Sequence, residues 1–273
     1  MRRRADRPLA SLIAALDNLI QEGGNLRGMA GAVGGHRNGY VRWVRDAEAA
    51  LAFHFDRHDV ADVLLTPRYW EILRLQEDNR EVTPLVNQEM EARVADLEEL
   101  RATYKLLRDR FSQETRRVLV PDTNVFLHYT FFTQAPWSEL AENSDPRIIV
   151  PLLVLEQLDR LKFSPNQKTA GRAQQVIRAL SLMLDDRSAT PTNIPRGGTI
   201  EVFVDEPGHL RMASEDSEIV EVTRQLTGFL PKPARLVTGD LGMRLRAGAL
   251  GVEVVAIPEE WQLKATNQST PSI

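Results

Sequence analysis

The stretch Val118-Leu119-Val120-Pro121-Asp122-Thr123-Asn124 decides the fold of this chain. Its apolar run predicts a buried strand, and an acidic residue follows the strand directly. At the carboxyl end of a strand in an open α/β sheet, such a residue points into the crevice where these sheets bind ligands. Asp122 alone also has a structural explanation, because Asx-turns are common after strands.

Three further acidic residues occupy equivalent places, each at the end of a predicted strand or the start of a helix: Glu156, Asp216 and Asp240. Glu215 and Glu218 flank Asp216 and could share or take its role. Taken singly, these residues fit solvated helix positions or first helical turns, where the helix dipole favours acids. Four carboxylates at one end of one sheet form instead a hard-oxygen site for Mg²⁺ or Mn²⁺. The set therefore predicts metal-dependent phosphodiester chemistry.

Strands and helices alternate along the chain after residue 117. We predict strands at 118–121, 148–153, 200–204, 235–237 and 252–257, with helices at 167–184, 216–226 and 240–249. Such alternation indicates an α/β fold with a mostly parallel central sheet between two helical layers, a three-layer α/β/α arrangement.

The first 116 residues contain no convincing strand and predict an all-α region. Helical spacing covers 8–20, 40–55 and 84–111, a short helix begins at Pro67, and the glycine-rich segment 23–39 reads as a loop. Apolar residues recur every three or four positions from Met90 to Phe111, which predicts a stripe that packs on the rest of the chain or on a second copy. We expect three parts: a helical region of unknown role at 1–116, an α/β domain at 117–261 and a flexible tail at 262–273.

Bulk composition narrows the class of protein. The 273 residues include no cysteine, which excludes thiolate zinc sites and disulfides and fits a reducing, cytoplasmic location. No apolar run reaches the roughly 18 residues of a membrane span, so no membrane partner is expected. The net charge is −4, and residues 118–273 account for it with 15 basic against 19 acidic residues. A nuclease can be acidic overall because a bound metal reverses the local field.

Four motifs in this order resemble those of PIN domains, a family of metal-dependent nucleases. They are Val118 to Asn124, Val150-Pro151-Leu152-Leu153-Val154-Leu155-Glu156-Gln157-Leu158-Asp159, Asp216-Ser217-Glu218-Ile219 and Val237-Thr238-Gly239-Asp240. The resemblance implies that Asp122, Glu156, Asp216 and Asp240 are the catalytic, metal-binding quartet. It also implies that Thr123, Asn124 and Thr238 orient those carboxylates or the water. Asp159, one turn from Glu156, could support them.

Basic and aromatic residues near these motifs suggest how a nucleic acid could be held. Lys162, Lys168, Arg172 and Arg244 could bind flanking phosphates, and an ordinary solvated helix face explains each of them equally well. The aromatic residues between 126 and 137 could stack on bases or form core.

The resulting expectation is a Mg²⁺- or Mn²⁺-dependent endoribonuclease acting on single-stranded or structured RNA. The preference for RNA over DNA comes from the resemblance. One alternative is a PIN-fold module that binds RNA or protein without cutting. Another is a toxin or defence effector neutralised by a partner. Residues 1–116 could mediate homo-oligomer or partner contacts. No Gly-Lys-Ser/Thr phosphate-binding loop is present, so nucleotide hydrolysis through such a loop is excluded.

Overall fold

The computed structural model describes residues 1, 3–28, 35–76, 79–184, 190–205, 209 and 211–263. Part of the predicted glycine-rich loop and most of the predicted tail lie outside these residues. The chain divides into two compact units, one of residues 1–114 with 206–210 and one of residues 115–205 with 211–273. No helix among the described residues is both long and apolar enough to cross a membrane.

The first unit is helical. Its helices are α1 (Leu9–Gly28), α2 (His36–His54), α3 (Arg57–Leu64), α4 (Pro67–Arg74) and α5 (Val82–Phe111). The predicted stripe on α5 is buried at Met90, Val94, Leu97, Tyr104, Leu107 and Phe111, and α5 packs mainly on α1. The stripe is therefore covered within this unit.

Two glycines that suggested a loop lie instead inside α1. The predicted loop began at residue 23, but α1 continues to Gly28. A Cβ on Gly23 would lie 2.6 Å from Val94 Cγ2 and 2.9 Å from Met90 Cε. The glycine therefore allows α1 and α5 to approach closely, and its role is in helix packing rather than in a turn.

His54 makes the stability of the helical unit dependent on pH. Burial, followed by the charges of Arg3 and Arg7, lowers the pKa of this nearly inaccessible side chain. The unfolded chain therefore binds a proton more readily than the folded chain, and stability is lost as the pH falls through the unfolded value of about 6.5. We expect the urea midpoint to fall less between pH 7.5 and 5.5 in His54→Gln than in the wild type. The exposed His58→Gln is the control, and an equal fall in all three proteins would contradict the assignment.

The second unit contains a six-stranded sheet. Its strands are β1 (Val118–Pro121), β2 (Arg147–Pro151), β3 (Thr192–Asn193), β4 (Thr199–Phe203), β5 (Arg235–Val237) and β6 (Glu253–Val255). Its helices are α6 (Thr123–His128), α7 (Leu152–Leu161), α8 (Gln167–Leu184), α9 (Glu215–Thr227) and α10 (Leu241–Ala249). The strand order is β3-β4-β2-β1-β5-β6, and every pair except β3–β4 is parallel. The predicted α/β class with a mostly parallel sheet is confirmed.

The strand order indicates which end of the sheet forms a crevice. From β1 the chain moves outward to β2 and β4, then returns to β5 on the other side of β1. Right-handed crossovers thus put α6, α7 and α8 on one face and α9 and α10 on the other. The order reverses between β1 and β5, and a crevice forms beyond the carboxyl ends of the strands at such a reversal. Asp122 follows β1 and Asp240 follows β5, so both acids lie at this point.

Candidate metal centre

Asp122 is fixed in place by three hydrogen bonds. It caps the N-terminus of α6, where Oδ1 accepts the Val125 N–H at 2.9 Å. Its Oδ2 accepts the Thr238 hydroxyl at 2.5 Å, and its own N–H donates to the Val237 carbonyl at 3.1 Å. The residue is only 1% exposed. These contacts hold the carboxylate of β1 against the end of β5.

Burial is the largest influence on the charge of Asp122. Burial raises the pKa of its carboxyl to about 6, although hydrogen bonds from Thr238, Val125 and Asn124 act in the opposite direction. The negative charge of Asp216 adds to the increase, so the two carboxylates lie close enough to repel each other. A cation beside Asp122 would favour the ionised form of its carboxyl.

A cleft of about 330 Å³ opens beside Asp122. Its wall contains four of the predicted site residues and several that were not predicted as ligands. The lining residues are Asp122, Thr123, Asn124, Gln157, Arg160, Leu161, Glu215, Asp216, Ile219 and Met243. The structure therefore brings Asp122 and Asp216 together from β1 and α9. Arg246 Nη1 lies 3.8 Å from Asp216 Oδ2.

A chain of side-chain contacts joins α6, α7 and α9 across this cleft. The Thr123 hydroxyl donates to Gln157 Oε1, and Gln157 Nε2 donates to Glu215 Oε2 at 2.8 Å. Arg160 binds the other Glu215 oxygen. These contacts, Arg160 first, lower the pKa of Glu215. The Arg160 guanidinium thus neutralises Glu215. The side chains that α7 contributes to the cleft wall include the Gln157 amide and this guanidinium.

Glu156 is not among the residues that line this cleft. Its carboxylate binds the Arg211 guanidinium through both oxygens, at 2.5 and 3.0 Å, and this pairing lowers the pKa of Glu156. Arg211 also binds Asp205 at 2.6 Å. Gln157, Arg160 and Leu161 share the face of α7 that lines the cleft, whereas Glu156 lies about 100° around the helix from Gln157. The metal-ligand role predicted for Glu156 stays a prediction.

Asp240 is linked to Asp122 through Thr238. The Asp240 N–H donates to Thr238 Oγ1 at 3.0 Å, and Thr238 in turn donates to Asp122. Asp240 Oδ1 caps α10 by accepting the Met243 N–H at 2.7 Å, and Met243 lines the cleft. One fully buried hydroxyl therefore binds the Asp122 carboxylate and the Asp240 backbone.

Of the predicted supporting residues, Thr123 and Asn124 line the cleft and Thr238 binds Asp122, whereas Asp159 and the predicted phosphate-binding residues are not in the cleft lining. Asp159 and Lys162 form an ion pair with each other at 2.5 Å. Arg172 donates to the carbonyls of Phe126 and Tyr129 at 2.9 and 2.6 Å, where it closes the end of α6. Lys168 and Arg172 line a separate cleft, and Arg244 is exposed on α10. Among the described residues, Arg160 is the basic side chain that lines the cleft at Asp122.

A second pair of acids consists of Asp205, which follows β4, and Glu218 in the first turn of α9. Asp205 and Glu218 have carboxylate oxygens within 4.8 Å of each other. Arg211 binds Asp205, and Glu218 Oε2 accepts the Met212 N–H at 2.6 Å. Both carboxylates thus have protein partners.

Sequence reasoning missed Gln157 and Arg160. Their signal was their phase on the helix, because residues 157, 160 and 161 fall on one face. The predicted strand ended at residue 153, but β2 ends at Pro151 and α7 begins at Leu152. With that start, the buried residues Val154 and Leu158 define the inner face of α7 and place Gln157 rather than Glu156 at the cleft.

A comparison with family models agrees with this architecture. A family model described as PIN domain matches residues 119–257, about half of the chain. A solved domain of a functionally unknown protein from Methanocaldococcus jannaschii is similar at 16% identity and a TM-score of 0.34, covering 57% of this chain and 98% of that one. No curated protein matches the chain significantly.

Proposed function

Because the chain belongs to the PIN domain family, a nuclease-type fold, we propose that it is a metal-dependent endoribonuclease. The observation that carries this proposal is the buried Asp122 beside Asp216 in a cleft at the reversal point of the sheet. We place its substrate in the class of single-stranded or structured RNA, with DNA as the competing substrate, and its location in the cytoplasm.

The donor set fits a divalent cation. The Asp122 carboxylate accepts hydrogen bonds from Val125, Thr238 and Asn124, and a carboxylate offers about four lone-pair sites, so capacity remains for a metal. Asp216 is exposed to the cleft. Asp240 is connected to Asp122 through Thr238. Such oxygens suit Mg²⁺ or Mn²⁺ rather than softer metals. We assign Asp122 and Asp216 as the central ligands, with Asp240 as a third.

The protein residues around such an ion have separate roles. When bound, the cation would neutralise charge on the phosphate and lower the pKa of water. Thr238 binds the Asp122 carboxylate and the Asp240 backbone N–H, and it thus links the two segments that carry these acids. Gln157 and Thr123 fix the wall of the cleft. The Asn124 amide is exposed at the cleft, where it can donate to a phosphate oxygen or to water.

The test is cleavage of labelled single-stranded RNA and DNA oligomers with Mn²⁺, Mg²⁺ or EDTA. We expect RNA to be cut internally with either metal and to stay intact in EDTA. Cleavage that persists in EDTA would contradict the metal assignment, and preferential cutting of DNA would contradict the substrate class.

A non-catalytic binding role is the second candidate, and a specific observation favours it. Arg211 binds Glu156 and Arg160 binds Glu215, so two acids near the cleft are already paired, and an amide stands at Gln157. Fewer free carboxylates weaken a metal site. Binding of RNA without cleavage at any metal concentration would decide for this candidate.

Thr238 offers a prediction specific to the positioning of the acids. Thr238→Val keeps the shape but removes the hydroxyl that donates to Asp122 and accepts from Asp240. Groups that orient metal ligands typically contribute 10- to 100-fold in metal affinity, and we expect a loss of about that size. Calorimetric titration of Mn²⁺ measures it. Thr227→Val is the control, because that hydroxyl contacts only backbone away from the cleft.

Glu156 and Asp216 can be separated by the same titration. Asp216→Asn removes charge from the cleft wall, and we expect Mn²⁺ affinity to fall at least about tenfold. Glu156→Gln should have a smaller effect, because Arg211 already neutralises that carboxylate. Equal losses in the two variants would restore Glu156 to the set of metal ligands.

A further inference from the structure

The helical unit carries a groove of about 710 Å³ with an unusual lining. Three arginines surround a floor of small residues and one aromatic ring. The lining residues are Arg4, Arg45, Glu48, Ala49, Ala52, Phe53 and Arg57. We call these residues, together with Arg7, the Arg/Phe surface.

The local structure fixes the groove. Residues 45, 48, 49, 52 and 53 follow helical spacing and form one face of α2. Arg57 begins α3, whose N-cap Asp56 accepts the His58 N–H at 2.9 Å. At the other side, the Arg4 N–H donates to the His54 carbonyl at 2.7 Å, and Arg3 pairs with Phe55 in a β-bridge. The chain start is therefore attached to the end of α2.

Phe53 presents an aromatic ring to solvent within this groove. The residue is 48% exposed. The Arg7 guanidinium lies 4.3 Å from the ring centroid, and the His54 ring contacts Phe53 edge-on at 4.9 Å. A single exposed aromatic is ordinary on a protein surface. The Phe53 ring differs because the Arg7 guanidinium lies against it, and its exposed part remains accessible for stacking.

The charge of the Arg/Phe surface is positive. The surface contains four arginines against two acidic residues, Glu48 and Asp6, and Asp6 lies 3.5 Å from Arg7. Arg4, Arg45 and Arg57 form no ion pair within the part of the chain that the structure describes. The nearby arginines Arg3 and Arg7 also contribute to the lowered pKa of His54, as expected in a positive field. A polyanion is the complementary ligand.

We propose that the Arg/Phe surface binds single-stranded RNA, with backbone phosphates on Arg4, Arg45 and Arg57 and a base stacked on Phe53. Cations beside an exposed ring are the combination that single strands use, because their phosphates and base faces are both accessible. A duplex hides its base faces, and the alanine floor offers too little apolar surface to enter a lipid bilayer. The choice of RNA as the polyanion rests on the proposed nuclease function. The surface would give the protein a second binding site for its substrate.

The test measures binding apart from cleavage. A labelled 12-nucleotide oligouridylate is titrated with the full chain in EDTA, and anisotropy gives the affinity at several salt concentrations. Phe53→Ala should weaken binding about fivefold or more, the typical contribution of one stacked base. Arg45→Ala/Arg57→Ala should reduce the salt slope by roughly 1.4, since each phosphate contact on a single strand contributes about 0.7.

Matched controls lie in the same unit. Trp70→Ala removes an aromatic that is 46% exposed, and Arg74→Ala removes an exposed arginine from the same short helix. Both controls should bind as the wild type does. Circular dichroism melting of every variant confirms that the helices remain folded.

Each outcome decides one point. Unchanged affinity and salt slope in the Phe53 and arginine variants, or equal losses in the controls, would overturn the inference. Tighter binding to phosphatidylserine vesicles than to the oligonucleotide would overturn it in favour of a membrane ligand. RNA cleavage that survives with unaltered binding in these variants refutes only this surface. Binding through the surface without cleavage under any metal refutes only the nuclease function.

Discussion

Asp122→Asn is expected to lower RNA cleavage by about 100-fold or more, the largest effect of any single substitution at the cleft. Asparagine keeps the size of the side chain, and its carbonyl oxygen can still accept the Val125 N–H that caps α6. The substitution removes the negative charge of Asp122 beside that of Asp216, and this pair of charges is the main attraction for a cation. The loss should therefore appear in Mn²⁺ affinity measured by calorimetry as well as in cleavage.

Stability measurements separate this effect from misfolding. Without metal, the buried charge of Asp122 disfavours the folded state, because desolvation is the largest influence on its carboxyl. The metal-free Asp122→Asn protein should then melt at the same or a higher temperature than the wild type. The exposed Asp109→Asn, in the helical unit, is the charge-matched control. Unchanged Mn²⁺ affinity in Asp122→Asn would remove this residue from the metal site.

The parts of the site that follow β1 and β5 could be read from the sequence. The apolar run Val118-Leu119-Val120 and the segment Arg235-Leu236-Val237 predicted both strands with the bounds that the structure shows. Parallel strands end at one edge of the sheet, so the acids that follow them must lie near each other. The prediction needed only the strand ends, which a buried apolar run marks clearly.

The side chains contributed by α7 could not be read with the same certainty. An error of one residue at the end of a strand does not change the fold. Moving the start of α7 from the predicted position after residue 153 to Leu152, however, changes which of its residues point toward the cleft. Pro151 and Leu152 look equally suited to a strand or a helix start, and the choice decides whether Glu156 or Gln157 faces the cleft. Arg211 was also beyond sequence reasoning, because it is 55 residues from the Glu156 carboxylate that it binds.

A buried ion pair between neighbouring strands was likewise invisible in the sequence. Arg147 on β2 donates to Glu201 on β4 at 2.6 Å, and both side chains are nearly inaccessible, at 6% and 0% exposure. The two strands pair in parallel, with Arg147 opposite Thr199 and Ile149 opposite Glu201. The ion pair therefore joins two neighbouring strands within the sheet.

Arg147→Met is expected to destabilise the second unit, because it removes the Arg147 cation from the buried Glu201 carboxylate, and loss of one partner of a buried ion pair typically costs about 3–5 kcal/mol. The double variant Arg147→Met/Glu201→Leu removes both charges, and its loss should be clearly smaller than the sum of the two single losses. Hydrogen exchange of peptides covering residues 147–151, followed along a urea titration, reports this unit separately from the helical one. The solvent-exposed pair Arg160–Glu215 offers a matched cycle, where Arg160→Met should change stability by no more than about 1 kcal/mol. Strictly additive losses at Arg147 and Glu201 would show that the two charges do not stabilise each other in the folded sheet.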